Sequence, residues 1–162
     1  MAKIGFIGLG ALGAAMAQRV MSLGHEAGGF NRSPAKATAL AGAGLQPAAT
    51  ADAACAADIV LSVLLDDAAV QEVLVDGFPF RRNPAAIHVS VSTISVPLVR
   101  NLARLHAAQG QAFVSAPVFG RPDNIRAANA VVAVGGAPEA IAGCRDVLAS
   151  FGEVAIIGSD PG

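Results

Sequence analysis

Gly8, Gly10 and Gly13 stand in the spacing Gly-x-Gly-x-x-Gly, directly after the strand pattern Lys3–Ile7 and directly before a helical pattern. In that setting each glycine has a separate use. Gly8 permits a tight turn, Gly10 lets the backbone approach a pyrophosphate, and Gly13 lets the helix lie close on the strand. The backbone from Gly8 through Leu9, Gly10, Ala11 and Leu12 to Gly13 is therefore a candidate anion cradle, because free N–H groups and the helix dipole both favour negative charge there. The competing reading is a glycine-rich turn that binds nothing. A second set, Asn31, Arg32, Ser33 and Lys36, follows the next strand pattern. A dinucleotide site selective for NAD carries Asp or Glu there for the ribose 2′-hydroxyl. Arg32 would instead grip a 2′-phosphate through charge-assisted hydrogen bonds. Ser33 has two uses open to it, helix capping or donation to that phosphate. Together the two sets predict a dinucleotide site with NADP preferred over NAD.

Positioning such a site requires strands and helices in alternation, and the chain supplies them. Lys3–Ile7 reads as a strand and Ala11–Leu23 as a helix closed by Gly24. Glu26–Phe30 is a second strand, and Ser33-Pro34 opens a helix to about Ala43. Thr50 caps a short helix through Ala56. Ile59–Leu64, apolar except for Ser62, is a run of the kind buried on both faces of a parallel sheet. Asp66–Val73 reads as helix, Phe78–Pro84 as irregular loop, Ile87–Val91 as strand, and Ser95-Val96-Pro97 as the start of a helix ending near Gly110. Ala112–Ser115 leads into a loop around Ala116–Asn124. Ala130–Val134 is a strand, Pro138–Ser150 a helix and Val154–Ile157 the last strand. This alternation predicts an α/β domain over 1–162: a doubly wound, mostly parallel Rossmann sheet with helices on both faces.

The composition bounds the function. The chain has 162 residues, formal net charge −1, 54% hydrophobic and 14% charged residues. Its length suits one domain with an ordinary core. Near-neutral charge and a pI of about 6.3 leave no basic footprint for nucleic acid or an anionic lipid surface. No apolar run reaches the ~20 residues of a membrane helix, and no signal segment is recognisable, so the expected location is cytoplasmic. The absence of Tyr excludes the Tyr-x-x-x-Lys chemistry of short-chain dehydrogenases. Cys55 and Cys144 lack metal-ligand spacing and read as small buried hydrophobes. Asp66-Asp67 reads as service to a helix dipole. His25, His88 and His106 share no ligand spacing and read as surface or strand-end residues; no metal is expected.

The run Ile4-Gly5-Phe6-Ile7-Gly8-Leu9-Gly10-Ala11-Leu12-Gly13-Ala14-Ala15-Met16-Ala17 resembles the opening signature of the β-hydroxyacid dehydrogenases, which include the 3-hydroxyisobutyrate and 6-phosphogluconate dehydrogenases. Asn31-Arg32-Ser33-Pro34 is similar to their NADP-type ending of the second strand. Ser62-Val63-Leu64-Leu65-Asp66, followed by Val70, is similar to their turn over the adenosine half of the cofactor. Ser92-Thr93-Ile94-Ser95-Val96-Pro97 matches their Ser-Thr-x-x-x-Pro segment, and the resemblance places Thr93 at the nicotinamide half. It implies cofactor contacts at Leu64, Leu65, Val70 and Thr93, and a substrate loop including Val118, Phe119 and Gly120. That loop departs from the family: Phe119 and Arg121 stand where a serine and a glycine are usual. The family's catalytic lysine sits on a helix after the last Rossmann strand, leading into a helical domain. No catalytic residue is therefore expected in 1–162; the lysine is expected beyond Gly162. The implied activity is hydride transfer between NADP(H) and a small hydroxyacid, carbonyl or imine, by an enzyme that is a homo-oligomer at full length. The alternative is a non-enzymatic dinucleotide-binding sensor or interaction module.

Overall fold

In a computed structural model describing residues 1–162, β1 (Lys3–Ile7) and α1 (Ala11–Ser22) lead into β2 (Glu26–Phe30) and α2 (Pro34–Ala41). β3 (Gln46–Pro47), α3 (Ala51–Ala54), β4 (Ile59–Ser62) and α4 (Asp67–Val70) follow. The helix of α4 continues as a π-helical stretch, Gln71–Asp76, and a 3₁₀ turn, Pro79–Arg82, precedes β5 (Ile87–Ser90). The second half holds α5 (Val96–Ala108), β6 (Phe113–Ser115), β7 (Val118–Phe119), α6 (Pro122–Arg126), β8 (Ala130–Gly136), α7 (Pro138–Ala149) and β9 (Gly152–Gly158).

The nine strands form one sheet in the order β3-β2-β1-β4-β5-β6-β8-β7, with β9 pairing β8. The pairs from β3 to β6 are all parallel, whereas β8 runs antiparallel to β6 and β7. The order 3-2-1-4-5-6 reverses direction between β1 and β4, and doubly wound sheets bind ligands in the crevice at the carboxyl ends of strands at such a point. The doubly wound, mostly parallel sheet expected from the sequence is the one found.

Side chains alternate across the strands, so both faces need cover. Ile4 and Phe6 of β1, Leu61 of β4 and Val114 of β6 share one core with Met16 of α1 and Leu148 of α7. Ile7, Val60 and Phe113 point the other way, into a second core with Leu98 and Leu102 of α5 and with Phe78 and Phe80. At Gly5 a Cβ would strike the carbonyl of Ala54, which is why β1 and α3 can lie so close. No helix is long and apolar enough to cross a membrane.

Four local details differ from the sequence reading. β4 ends at Ser62 rather than Leu64, since the chain must turn at Val63 to form the crevice wall. Gln46–Pro47 forms a two-residue edge strand too short to show periodicity. The expected loop 116–124 contains β7 and the start of α6, and the expected loop 78–84 contains the 3₁₀ turn. In both, Pro at the first helical positions starts a turn that apolar periodicity is too short to reveal.

Candidate functional site

The turn from β1 to α1 contains two glycines required by the fold and one that is not. Gly8 has φ +100, and a Cβ there would collide with the carbonyl of Val63; a Cβ on Gly13 would collide with the carbonyl of Gly8. Gly10, the N-cap of α1, has φ −66 and ψ −170, a conformation open to any residue. A Cβ on Gly10 meets nothing within 4 Å. It would project into a cleft of about 630 Å³ lined by Gly8, Gly10, Ala11, Leu12 and Gly13. No side chain caps α1, and the N–H groups of Gly10 through Gly13 find no acceptor within the chain. Buried helix starts ordinarily satisfy such donors. Leu9 takes no part in the lining: its side chain is buried against Gly29, and its N–H donates to Asn31 Oδ1 at 2.9 Å.

Asn31, Arg32, Ser33 and Lys36 line the same cleft at the end of β2. Asn31 locks the turn, since its Nδ2 also donates to the carbonyl of Ser33 at 3.1 Å. Of the two uses open to Ser33, the structure removes one: the residue sits at the N-cap of α2 but its hydroxyl makes no cap bond. The hydroxyl of Ser33 and the ammonium of Lys36 engage no protein partner. Arg32 lies with Nη1 3.7 Å from Oε2 of Glu72, which reaches the cleft from the π-helical stretch.

The opposite wall comes from the carboxyl ends of β4 and β5. Val63, Leu64, Leu65, Ala69 and Val73 line it, together with Val91, Ser92 and Thr93, and Val118 closes one end. Leu65 is 90% exposed, an apolar side chain at the cleft rim with no protein cover. The two ends are stapled by Ser92, whose Oγ accepts from the N–H of Leu64 at 2.8 Å and donates to the carbonyl of Ser62 at 3.4 Å. Asp67 accepts from the N–H of Ser95 at 2.9 Å, which ties α4 to the head of α5, and hydrogen bonds from Ser95 hold that carboxyl below its usual range. Asp66 caps α4 through the N–H of Ala69, so the acidic pair serves helix ends as expected. Val70 is fully buried in the second core, while Phe119 and Gly120 are exposed and lie off the cleft. Sequence reasoning missed Ser92, Val73 and Glu72. Of these only Ser92 had a signal, its place beside Thr93 at the end of a strand.

Two of the three histidines correct the sequence reading. His25 is half-buried, its Nδ1 accepting from the N–H of Ala2. His88 and His106, expected at the surface or at strand ends, are wholly buried. His88 Nε2 lies 2.8 Å from Ser62 Oγ, His88 Nδ1 2.7 Å from His106 Nε2, and His106 Nδ1 2.8 Å from Gln111 Oε1. Gln111 sets the direction of this chain, because its Nε2 must donate to the carbonyls of Asn83 and Ala86. Its oxygen therefore accepts from His106 Nδ1–H, His106 Nε2 accepts from His88 Nδ1–H, and Ser62 donates to His88 Nε2. Phe80 stacks on His88 and Phe113 on His106. Burial drives both imidazoles to the neutral form: His106 falls to about 4, and His88 falls well below 6.5, with His106 adding to the effect. Helical spacing could have found His106, which continues the stripe Leu98, Val99, Leu102. Burial likewise raises Cys55 to about 12 and Cys144 to about 11, leaving inert thiols as expected.

Known proteins share this fold. The profile of the NAD binding domain of 6-phosphogluconate dehydrogenase matches residues 3–158. An uncharacterized oxidoreductase of Bacillus subtilis is 39% identical over 154 residues, covering 93% of this chain and 54% of its own length. The structure of Mycobacterium tuberculosis 3-hydroxyisobutyrate dehydrogenase with L-serine superposes with a TM-score of 0.91 at 29% identity, covering 99% of this chain and 56% of that one. A reductive aminase from Aspergillus terreus, in complex with NADPH4, cyclohexanone and allyl amine, gives 0.87 at 32% identity, with coverage of 99% and 56%. The chain thus spans about half the length of the curated relatives it matches. On sheet order, glycine turn and the match over nearly its whole length, this chain belongs to the family of NAD binding domains of 6-phosphogluconate dehydrogenase.

Proposed function

We propose that residues 1–162 form the cofactor-binding domain of an oxidoreductase of the β-hydroxyacid dehydrogenase type, and that the cofactor is NADP(H) rather than NAD(H). One observation carries the choice: Arg32, Lys36 and an uncapped Ser33 hydroxyl converge on one end of the cleft that holds the glycine turn. In this reading the N–H groups of Gly10 to Gly13 hold the pyrophosphate and Arg32, Ser33 and Lys36 take the 2′-phosphate. Leu64 and Leu65 cover the adenosine half, and Thr93 and Val118 flank the nicotinamide half. The bound cofactor would supply hydride chemistry at its nicotinamide ring.

The substrate in this reading is a small hydroxyacid, carbonyl or imine. Support for that class comes from the two solved relatives, one carrying L-serine and the other a ketone with an amine. The group that moves the substrate's proton lies outside residues 1–162. Lys3 opens β1 at the amino end of the strand, away from the crevice, Lys36 sits at the phosphate end, and the buried histidines are sealed from the cleft. The uncovered apolar residues Phe119, Ile156 and Ile157 support self-association of the full-length enzyme.

Titration with NADPH and NADH, followed by nicotinamide fluorescence, tests the assignment. NADPH should bind more tightly, and Arg32→Ala should cost about tenfold in NADPH affinity while sparing NADH. Equal affinities in the unaltered chain would sink the NADP reading.

A further inference from the structure

The 2′-phosphate end of the cleft contains one group that works against a phosphate. Glu72 is the carboxylate within reach of Arg32, Oε2 to Nη1 3.7 Å, and both side chains border the cleft. The other acids of this segment are engaged elsewhere: Asp66 with the N–H of Ala69, Asp67 with that of Ser95, and Asp76 with the amide of Gln71. Glu72 is oriented by neither a helix cap nor a side-chain hydrogen bond, so Arg32 is its one charged partner. The pair links the end of β2 to the π-helical stretch after β4, across β1. It therefore bridges the mouth of the crevice at its adenosine end.

We propose that Glu72 is a specificity-determining residue, a carboxylate that competes with the cofactor's 2′-phosphate for Arg32. This rests on the reading of Arg32 given above. A 2′-phosphate carries a charge of roughly −1.5 to −2. To meet Arg32 it must displace a carboxylate already there, and it then faces that carboxylate as a like charge. A ribose 2′-hydroxyl makes neither demand, so NAD(H) leaves the ion pair in place. Selectivity is a difference between two affinities, and an unfavourable charge set against one ligand changes it as surely as a favourable contact with the other. The pair is solvent-exposed, with the side chains 86% and 66% accessible, so the effect belongs to the small class of surface ion pairs. The result is a site that prefers NADP(H) by less than Arg32, Ser33 and Lys36 alone would give.

The test is a set of four proteins, the unaltered chain, Glu72→Gln, Arg32→Ala and the double variant, each titrated with NADPH and NADH. Glu72→Gln should tighten NADPH by roughly two- to fivefold and leave NADH within twofold. In the Arg32→Ala background the same substitution should give a smaller gain, below about twofold, because only the like-charge repulsion remains and there is no guanidinium to compete for. Unchanged NADPH affinity in Glu72→Gln overturns the proposal, and so does weaker NADPH binding, which would make Glu72 a cofactor ligand. An equal gain in the double variant also overturns it, since Glu72 would then act on the phosphate without Arg32. A different result removes the underlying reading: Arg32→Ala that leaves NADPH affinity intact. Glu72 is exposed, so Glu72→Gln is expected to fold, and circular dichroism on the same samples checks this.

Discussion

A valine at Gly10 would keep the fold and fill the cleft, whereas a valine at Gly8 or Gly13 would drive a side chain into backbone carbonyls. Gly10→Val is therefore expected to retain its thermal midpoint and to lose binding of both NADPH and NADH. Normal binding by the folded variant would reduce the glycine turn to a structural feature. The buried histidines give a second expectation. Both have folded-state values below the ordinary 6.5, so the unfolded chain takes up protons first as pH falls. Stability is then complete above about pH 6.5 and falls through the interval down to about 4, the range set by His106. For His106 alone the loss between pH 7 and pH 5 is about 2 kcal/mol. Urea midpoints that stay flat across that interval would contradict the neutral, one-way hydrogen-bond chain.

Among the elements, the junction of β8 with β9 is the most tightly constrained. Gly152 has φ +153, and a Cβ there would run into the backbone of Ala130, its register partner. Gly152→Ala should cost about 1–3 kcal/mol from strain alone, seen as a fall of several degrees in the thermal midpoint; an unchanged midpoint would show that the strand can shift. Long periodic elements such as α1, α5 and α7 were legible in the sequence because apolar side chains must repeat where helices meet a sheet. Gln46–Pro47 and Val118–Phe119 were not, since two residues carry no period. The cleft was legible in its glycines and basic residues through their local spacing, and in Thr93 through the family resemblance. Glu72 was not legible, because its approach to Arg32 depends on the π-helical stretch and on the order of three strands. Nor was the His88–His106 pair, which forms between a strand and a helix 18 residues apart in sequence.

For the molecule as a whole, binding and turnover should separate. The proposed nicotinamide end is bordered by Val91, Ser92, Thr93 and Val118, none of which is a proton donor of suitable acidity. General acid–base catalysis typically contributes about 10²–10⁴-fold. Residues 1–162 are therefore expected to bind NADPH yet oxidise it no faster than background against short aldehydes, keto acids and imines. A form extended through the following open reading frame should turn over with at least one class. Comparable rates in the two would place the catalytic group within this chain. The buried hydrogen-bond chain also bears on how binding can be watched. The protein has neither Trp nor Tyr, so it offers little intrinsic fluorescence of its own. Two imidazole protons, on Nδ1 of His88 and Nδ1 of His106, are instead shielded from solvent in short hydrogen bonds. Their exchange with water should be slow enough for separate proton resonances, far downfield of the amides. Ser62 joins that chain through its hydroxyl and the cleft wall through its carbonyl and Ser92, so those two lines are a label-free gauge of what enters the cleft.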